Sequence, residues 1–197
     1  MVAQSSTRND VRHWTYEALQ QRDDAQGRER REELWDGELL EMTSPRLIHQ
    51  EILLTLATLL RSWARERNLG KVYIAPHDLY VSATRFFQPD LSFVSRERLE
   101  NERIEREDGQ CLVAPPDLCV EVVSPSTARR DRVDKVNAYA QFGVRHYWIL
   151  DPEEGSLQAF VLDNGRYALE AALSDENTFA PSLFPDLQIE LSSIFAV

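Results

Sequence analysis

The segment PDLCVEVVSPSTARRDRVDKVNAYAQFGVRHYWIL, residues 116–150, decides the fold, because a strand, a turn, a helix and a second strand follow one another in it. Its apolar run from Leu118 to Val123 predicts an inner strand of a sheet. Residues 127–142 have the pattern of a helix, and residues 146–150 form a second apolar run. This succession predicts an α/β protein built on a mixed sheet.

The first strand of this segment contains a single charged residue. Alternation along the strand places Cys119, Glu121 and Val123 on the same face. An ionised carboxylate among buried apolar side chains is unfavourable unless it is paired, hydrogen-bonded or bound to a metal. A second predicted strand, residues 90–94, has the same design, with Asp90 at the start of an apolar run. The two acids are therefore candidates for one site.

Lys135 completes this candidate site. It lies on the predicted helix fourteen positions after Glu121, on a stripe that it shares with Asp131 and Tyr139. Two acids and a nearby ammonium suggest a hydrolytic site in which the carboxylates hold Mg²⁺ or Mn²⁺. We expect replacement of Lys135 by alanine to abolish cleavage and to change the melting temperature little.

A structural role stays open for each of these residues. Glu121 could pair with an arginine across the sheet. Asp90 follows Pro89 and could cap a turn. Lys135 could form an exposed ion pair with Asp131 one helical turn away.

The rest of the chain predicts further layers around the sheet. Residues 45–68 predict a long helix with a core-facing stripe formed by Ile48, Ile52, Leu56, Leu59 and Trp63. The pairs Asp36-Gly37 and Asn164-Gly165 predict two-residue hairpin turns. Strands are expected at residues 71–75, 79–82 and 90–94. The fold class is therefore α/β, with a mixed central β-sheet flanked by helices and additional β-hairpins at both ends.

Several spaced blocks, in the right order, resemble the Uma-two family of restriction endonuclease-like proteins. They are LWDGELLEM at residues 34–42, Ser44-Pro45 with His49, Gln88-Pro89-Asp90, the long segment quoted above, and its continuation Asp151-Pro152. The resemblance extends from about residue 15 to residue 162. It implies a restriction-endonuclease-like core of the PD-(D/E)xK nuclease superfamily.

The resemblance also implies roles for particular residues. Asp90 and Glu121 would be the acids of the superfamily signature, both catalytic and both metal ligands. The usual lysine position holds Val123, and Lys135 fits the place of a lysine that has moved to the following helix. Glu51 and His49, at the start of the long helix, are weaker additional candidates. The implied cofactor is Mg²⁺ (or Mn²⁺).

Composition limits the classes of function. Among the 197 residues, acids outnumber lysine and arginine by 33 to 22, which gives a net charge of −11. This balance is unfavourable for nucleic-acid binding, which needs a basic surface, and Arg129, Arg130 and Arg132 are the best-placed local candidates for one. No apolar run approaches the ~20 residues of a membrane helix. Two cysteines without zinc spacing favour a reducing cytoplasm.

The sequence therefore predicts a Mg²⁺-dependent endonuclease that hydrolyses phosphodiester bonds of DNA. The main alternative is a catalytically weak nuclease-fold module for binding DNA or protein, and a third is an enzyme for RNA or small phosphodiesters. We expect a flexible leader over residues 1–14 and a single nuclease-like domain over residues 15–197. A homodimer is expected only by analogy with enzymes that cut both strands, and no membrane partner is expected.

Overall fold

Two mixed β-sheets organise the protein in a computed structural model that describes residues 13–26, 32–107, 109, 111–124 and 129–196. The strands are β1 (Glu32–Trp35), β2 (Glu38–Glu41), β3 (Gly70–Ile74), β4 (Asp78–Ser82), β5 (Arg85–Phe87), β6 (Leu91–Ser95), β7 (Cys111–Leu112), β8 (Leu118–Val122), β9 (His146–Asp151), β10 (Ser156–Asp163), β11 (Arg166–Ser174), β12 (Thr178–Phe179) and β13 (Ile189–Glu190). The helices are α1 (Tyr16–Gln26), α2 (Leu47–Glu66), α3 (Arg96–Asn101), α4 (Val136–Phe142) and α5 (Leu191–Phe195).

The larger sheet has six strands in the order β11-β10-β9-β8-β6-β3. Strands β8 and β9 are parallel, and every other neighbouring pair in this sheet is antiparallel. The parallel pair is connected by the helical part of residues 116–150, as the sequence predicted. The mixed α/β fold is therefore confirmed.

Strand β8 separates two hydrophobic cores. Its side chains alternate between the core beneath α2 and the core beneath α4, as a strand buried on both faces requires. Those in the first core are Leu118, Val120 and Val122, and those in the second are Cys119 and Val123. The predicted alternation is confirmed, and it fixes the side of the sheet on which Glu121 lies.

The second sheet has five strands in the order β2-β1-β5-β4-β7, and it was not predicted. We expected residues 79–82 to join the central sheet, but β4 pairs instead with β5 and β7. Alternation of apolar residues shows that a segment is a strand, but it does not show which neighbour completes its hydrogen bonds.

The two predicted hairpins are confirmed, each with a two-residue turn. Asp36 and Gly37 have φ of 50° and 89° between β1 and β2, and Asn164 and Gly165 have φ of 47° and 78° between β10 and β11. Positive φ at both positions matches the right-handed twist of the flanking strands. The first hairpin is held in the smaller sheet because β1 also pairs with β5.

The helices differ from the predictions mainly at their ends. The long helix spans Leu47–Glu66, close to the expected residues 45–68. The start of the second predicted helix, at residues 127 and 128, lies outside the described residues. From Arg130 to Lys135 the chain forms a π-helical segment, which continues into α4. None of the described helices has both the length and the apolar character needed to cross a membrane.

The predicted leader lies mostly outside the described residues. Trp14, which we assigned to it, donates its backbone N–H to the carbonyl of Gly37 at 2.8 Å. The hydroxyl of Thr15 accepts a hydrogen bond from the N–H of Ala18 at 3.2 Å, so this residue caps α1.

Candidate active site

Asp90, Glu121 and Lys135 line one cavity of about 570 Å³. The cavity lies between the start of α2, the start of β6, the end of β8 and the π-helical segment. Apolar side chains, including Met42, Ile48 and Leu53, form much of its wall. The structure thus brings together the three residues that the sequence singled out from three separate elements.

Glu121 is buried, with an exposed fraction of 3%. Its Oε1 accepts hydrogen bonds from Nζ of Lys135 at 2.8 Å and from the hydroxyl of Tyr139 at 2.7 Å. Its Oε2 has no hydrogen bond to any residue that the structure describes. Burial raises the pKa of Glu121 well above its ordinary value; Lys135 opposes this, and nearby carboxylates such as Asp90 add to it. An additional cation would favour the ionised form of this carboxylate.

Asp90 links the start of β6 to the end of β8. Its Oδ2 accepts hydrogen bonds from the N–H of Val122 at 2.8 Å and from Nε2 of His49 at 3.1 Å. Within the described part of the chain, its Oδ1 has no hydrogen-bond partner. The carboxylate is therefore fixed through one oxygen, while the residue lines the cavity that Glu121 also lines.

Lys135 is buried among carboxylates, with its side chain 2% exposed. Its Nζ donates to Oε1 of Glu121 at 2.8 Å and lies 2.9 Å from Oε1 of Glu33. Oδ1 of Asp131 lies 3.6 Å away, too far for a hydrogen bond. The ammonium thus donates a hydrogen bond to Glu121 and forms an ion pair with Glu33. The alternative of an exposed Lys135–Asp131 pair does not hold, because both side chains are buried.

The surrounding acids decide the charge of this lysine. Burial by itself lowers the pKa of Lys135, but Glu121, Glu33 and Asp131 together raise it well above its ordinary value. The ammonium is therefore charged at neutral pH. Three carboxylates, those of Glu121, Glu33 and Asp131, lie within 4 Å of it, and the guanidinium of Arg130 lies 4.0 Å from Glu33.

Glu33 is a member of the site that sequence reasoning missed. It is fully buried and accepts hydrogen bonds from the N–H of Gln88 at 3.1 Å and from Nε1 of Trp35 at 3.3 Å. Alternation in β1 could have shown that Glu33 shares a face with Trp35 rather than with Leu34. It could not show that this face is buried against Lys135.

Of the two weaker candidates on α2, only one lies at the cavity. His49 lines the cavity and contacts Asp90. Burial lowers the pKa of His49, but the hydrogen bond and charge of Asp90, together with the charge of Asp131, raise it above its ordinary value. Glu51 is exposed, and the cavity is lined by its neighbour Gln50 instead. The structure therefore brings His49 to the site and leaves Glu51 outside it.

The three arginines predicted to bind nucleic acid have different surroundings. Arg129 is exposed, and Arg130 lines the cavity. Arg132 donates to Oδ2 of Asp151 at 2.6 Å and to Oε1 of Gln158 at 2.7 Å. Since its guanidinium already pairs with an acid of the protein, Arg132 is the least available of the three.

The donors suit a hard divalent cation that keeps part of its water shell. The described residues include no cluster of three or more His, Cys, Asp or Glu side chains able to hold a metal ion. Mg²⁺ commonly needs only one or two carboxylates, with waters and substrate phosphates completing its coordination. Oδ1 of Asp90 and Oε2 of Glu121 supply two such carboxylate oxygens beside a cluster with excess negative charge. The residues present therefore fit Mg²⁺ or Mn²⁺.

The mixed sheet and its flanking helices have a restriction-endonuclease-like fold. A family model, Uma2, described as "Putative restriction endonuclease", matches residues 15–192, and the chain belongs to this family. The fold is similar to the crystal structure of a "putative nuclease belonging to DUF820" from Anabaena variabilis ATCC 29413. That similarity has a TM-score of 0.68 at 15% sequence identity and covers 84% of this chain and 89% of the other. No curated protein matches this sequence. The resemblance found in the sequence is thus confirmed, and the family supports a nuclease function in general terms.

Proposed function

We propose that the protein is a metal-dependent endonuclease that hydrolyses phosphodiester bonds of DNA. The observation that carries this proposal is the convergence of Asp90 and Glu121 on one cavity beside the buried ammonium of Lys135. Among the described residues, each carboxylate is hydrogen-bonded through one oxygen, which leaves the other for a ligand in the cavity.

Asp90 and Glu121 would hold Mg²⁺ or Mn²⁺. When bound, such an ion supplies positive charge that polarises a phosphate oxygen and lowers the pKa of a neighbouring water. The ammonium of Lys135 donates to Glu121, and the residue lines the same cavity. This ammonium would donate to the attacking water or to a phosphate oxygen, and so orient it. His49 would keep Asp90 in position through their hydrogen bond.

Arg129 and Arg130 would provide the local positive charge for the DNA backbone, since Arg132 is paired with Asp151.

A homodimer stays a prediction from the analogy with enzymes that cut both strands. Cys111 and Cys119 are both buried free thiols. Because free cysteines are typical of a reducing compartment, we place the protein in the cytoplasm.

A second candidate function is a catalytically weak module that binds DNA or protein. The observation that favours it is the net charge of −11, which opposes binding of a polyanion. Binding of Mn²⁺ discriminates the two, because an interaction module does not require a metal.

The test is cleavage of supercoiled plasmid and of linear duplex DNA in Mg²⁺ or Mn²⁺. We expect the parent protein to cleave and Asp90→Asn to lose cleavage while retaining its melting temperature within a few degrees. The matched control is Asp175→Asn, at an exposed acid on the turn after β11, which should cleave like the parent. Cleavage that persists in EDTA, or that Asp90→Asn leaves intact, would contradict the proposal.

A further inference from the structure

Glu33 and Glu121 reach the same ammonium from different sheets. Glu33 lies on β1 of the five-stranded sheet, and Glu121 lies on β8 of the six-stranded sheet. Their Oε1 atoms lie 2.9 Å and 2.8 Å from Nζ of Lys135. The lysine side chain is therefore held between the two sheets at the edge of the cavity.

The two acids have different further roles in the proposed reaction. Glu121 lines the cavity and would share its negative charge with a metal ion, which weakens its attraction for the lysine. Glu33 is fully buried and does not line the cavity. Its hold on the ammonium is therefore independent of what binds there. Asp131 is too distant, at 3.6 Å, to replace it by hydrogen bonding.

We propose that Glu33 is a positioning residue that holds the Lys135 ammonium at the edge of the cavity while Glu121 binds the metal. The inference rests on the proposed function and extends it to the hairpin β1–β2. Glu33 is itself fixed by the N–H of Gln88 and by Nε1 of Trp35, so its carboxylate is a rigid acceptor. Such supporting groups commonly change activity by about 10- to 100-fold when removed.

The composition of the chain makes the contact measurable without any assay of activity. The sequence contains two lysines, Lys71 and Lys135. Lys71 is 58% exposed, whereas Lys135 is buried and hydrogen-bonded. In protein labelled with ¹⁵N-lysine, we expect a slowly exchanging ammonium signal from Lys135 and a rapidly exchanging one from Lys71. Replacing Lys71 by arginine assigns the signals.

Glu33→Ala should remove the slowly exchanging signal, because the ammonium loses one of its two short contacts. Glu33→Gln keeps a hydrogen-bond acceptor without the charge, and it replaces the alanine variant in this experiment if that variant does not fold. The glutamine variant should weaken the protection of the Lys135 signal without abolishing it. Glu38→Ala, at an exposed acid of the same hairpin, is the matched control and should leave the spectrum unchanged. An unchanged Lys135 signal in both Glu33 variants overturns the inference.

Cleavage kinetics then test the consequence of the contact. Both Glu33 variants should lower kcat by about 10- to 100-fold with little change in KM, as expected for a group that acts through another residue at the reacting centre. Loss of the signal with an unchanged kcat would overturn the positioning role. If the parent protein binds Mn²⁺ but cleaves no DNA, the proposed function fails and the catalytic part of this inference fails with it. The spectra still decide whether Glu33 holds Lys135.

Discussion

Removing the ammonium of Lys135 should destabilise the protein strongly. In Lys135→Met, the carboxylates of Glu33 and Glu121 stay buried without the cation that both contact. Removal of one partner from a buried ion pair costs about 3–5 kcal/mol. For a chain of this size, 1 kcal/mol corresponds to about 2–4 °C in melting temperature, so the expected decrease is roughly 6–20 °C. This revises the expectation from sequence that Lys135 could be replaced with little change in stability.

The assay is chemical denaturation at neutral pH, with melting temperature as a second measure. Lys71→Met is the matched control, since Lys71 is an exposed lysine whose contact with Glu105 contributes less than about 1 kcal/mol. A variant that combines Lys135→Met with Glu33→Gln and Glu121→Gln should recover much of the lost free energy of unfolding, because no unpaired charge remains. If Lys135→Met unfolds like the parent, or if the triple variant is no more stable than the single one, the electrostatic reasoning is wrong.

Three further outcomes are expected. Mn²⁺ should raise the melting temperature of the parent but not that of Glu121→Gln, and equal increases would place the metal elsewhere. Replacing Arg129 and Arg130 by glutamate should weaken DNA binding, measured in Ca²⁺ across a salt series, and flatten the log–log slope by about one unit per lost contact; identical slopes would contradict this. Burial lowers the pKa of His77 from 6.5 to about 4, so folding should lose up to about 3 kcal/mol as pH falls from 6.5 towards 4. That loss should be smaller in His77→Gln. If the free energies of unfolding of the two proteins depend on pH in the same way, His77 is not the cause of the loss.

Local patterns in the sequence were sufficient to predict most strands of the larger sheet. The alternation around Glu121 fixed which side chains of β8 enter each core, and it also showed that this acid needed a partner. Residue pairs such as Asn164-Gly165 predicted both hairpins correctly, because few residues adopt positive φ twice in succession. These features depend on neighbours within a few residues, which the sequence displays directly.

Features that depend on distant segments were not accessible in this way. The pairing of β4 with β5 and β7 follows from contacts between strands, not from the sequence of β4 itself. The π-helical segment from Arg130 to Lys135 adds one residue to a turn, which periodicity does not distinguish from an α-helix. Glu33 was missed for the same reason, because its contact with Lys135 depends on a residue far along the chain.

The separation of Glu33 and Lys135 along the chain has a consequence for folding and synthesis. The two residues are 102 positions apart (135 − 33), so their contact closes a long loop. A nascent chain cannot form it until both strands of the site and the following helix have left the ribosome. The charged cluster therefore forms late, and local opening of the hairpin β1–β2 would expose it to water. A partly folded chain of this protein would lack the arrangement on which the proposed hydrolysis depends.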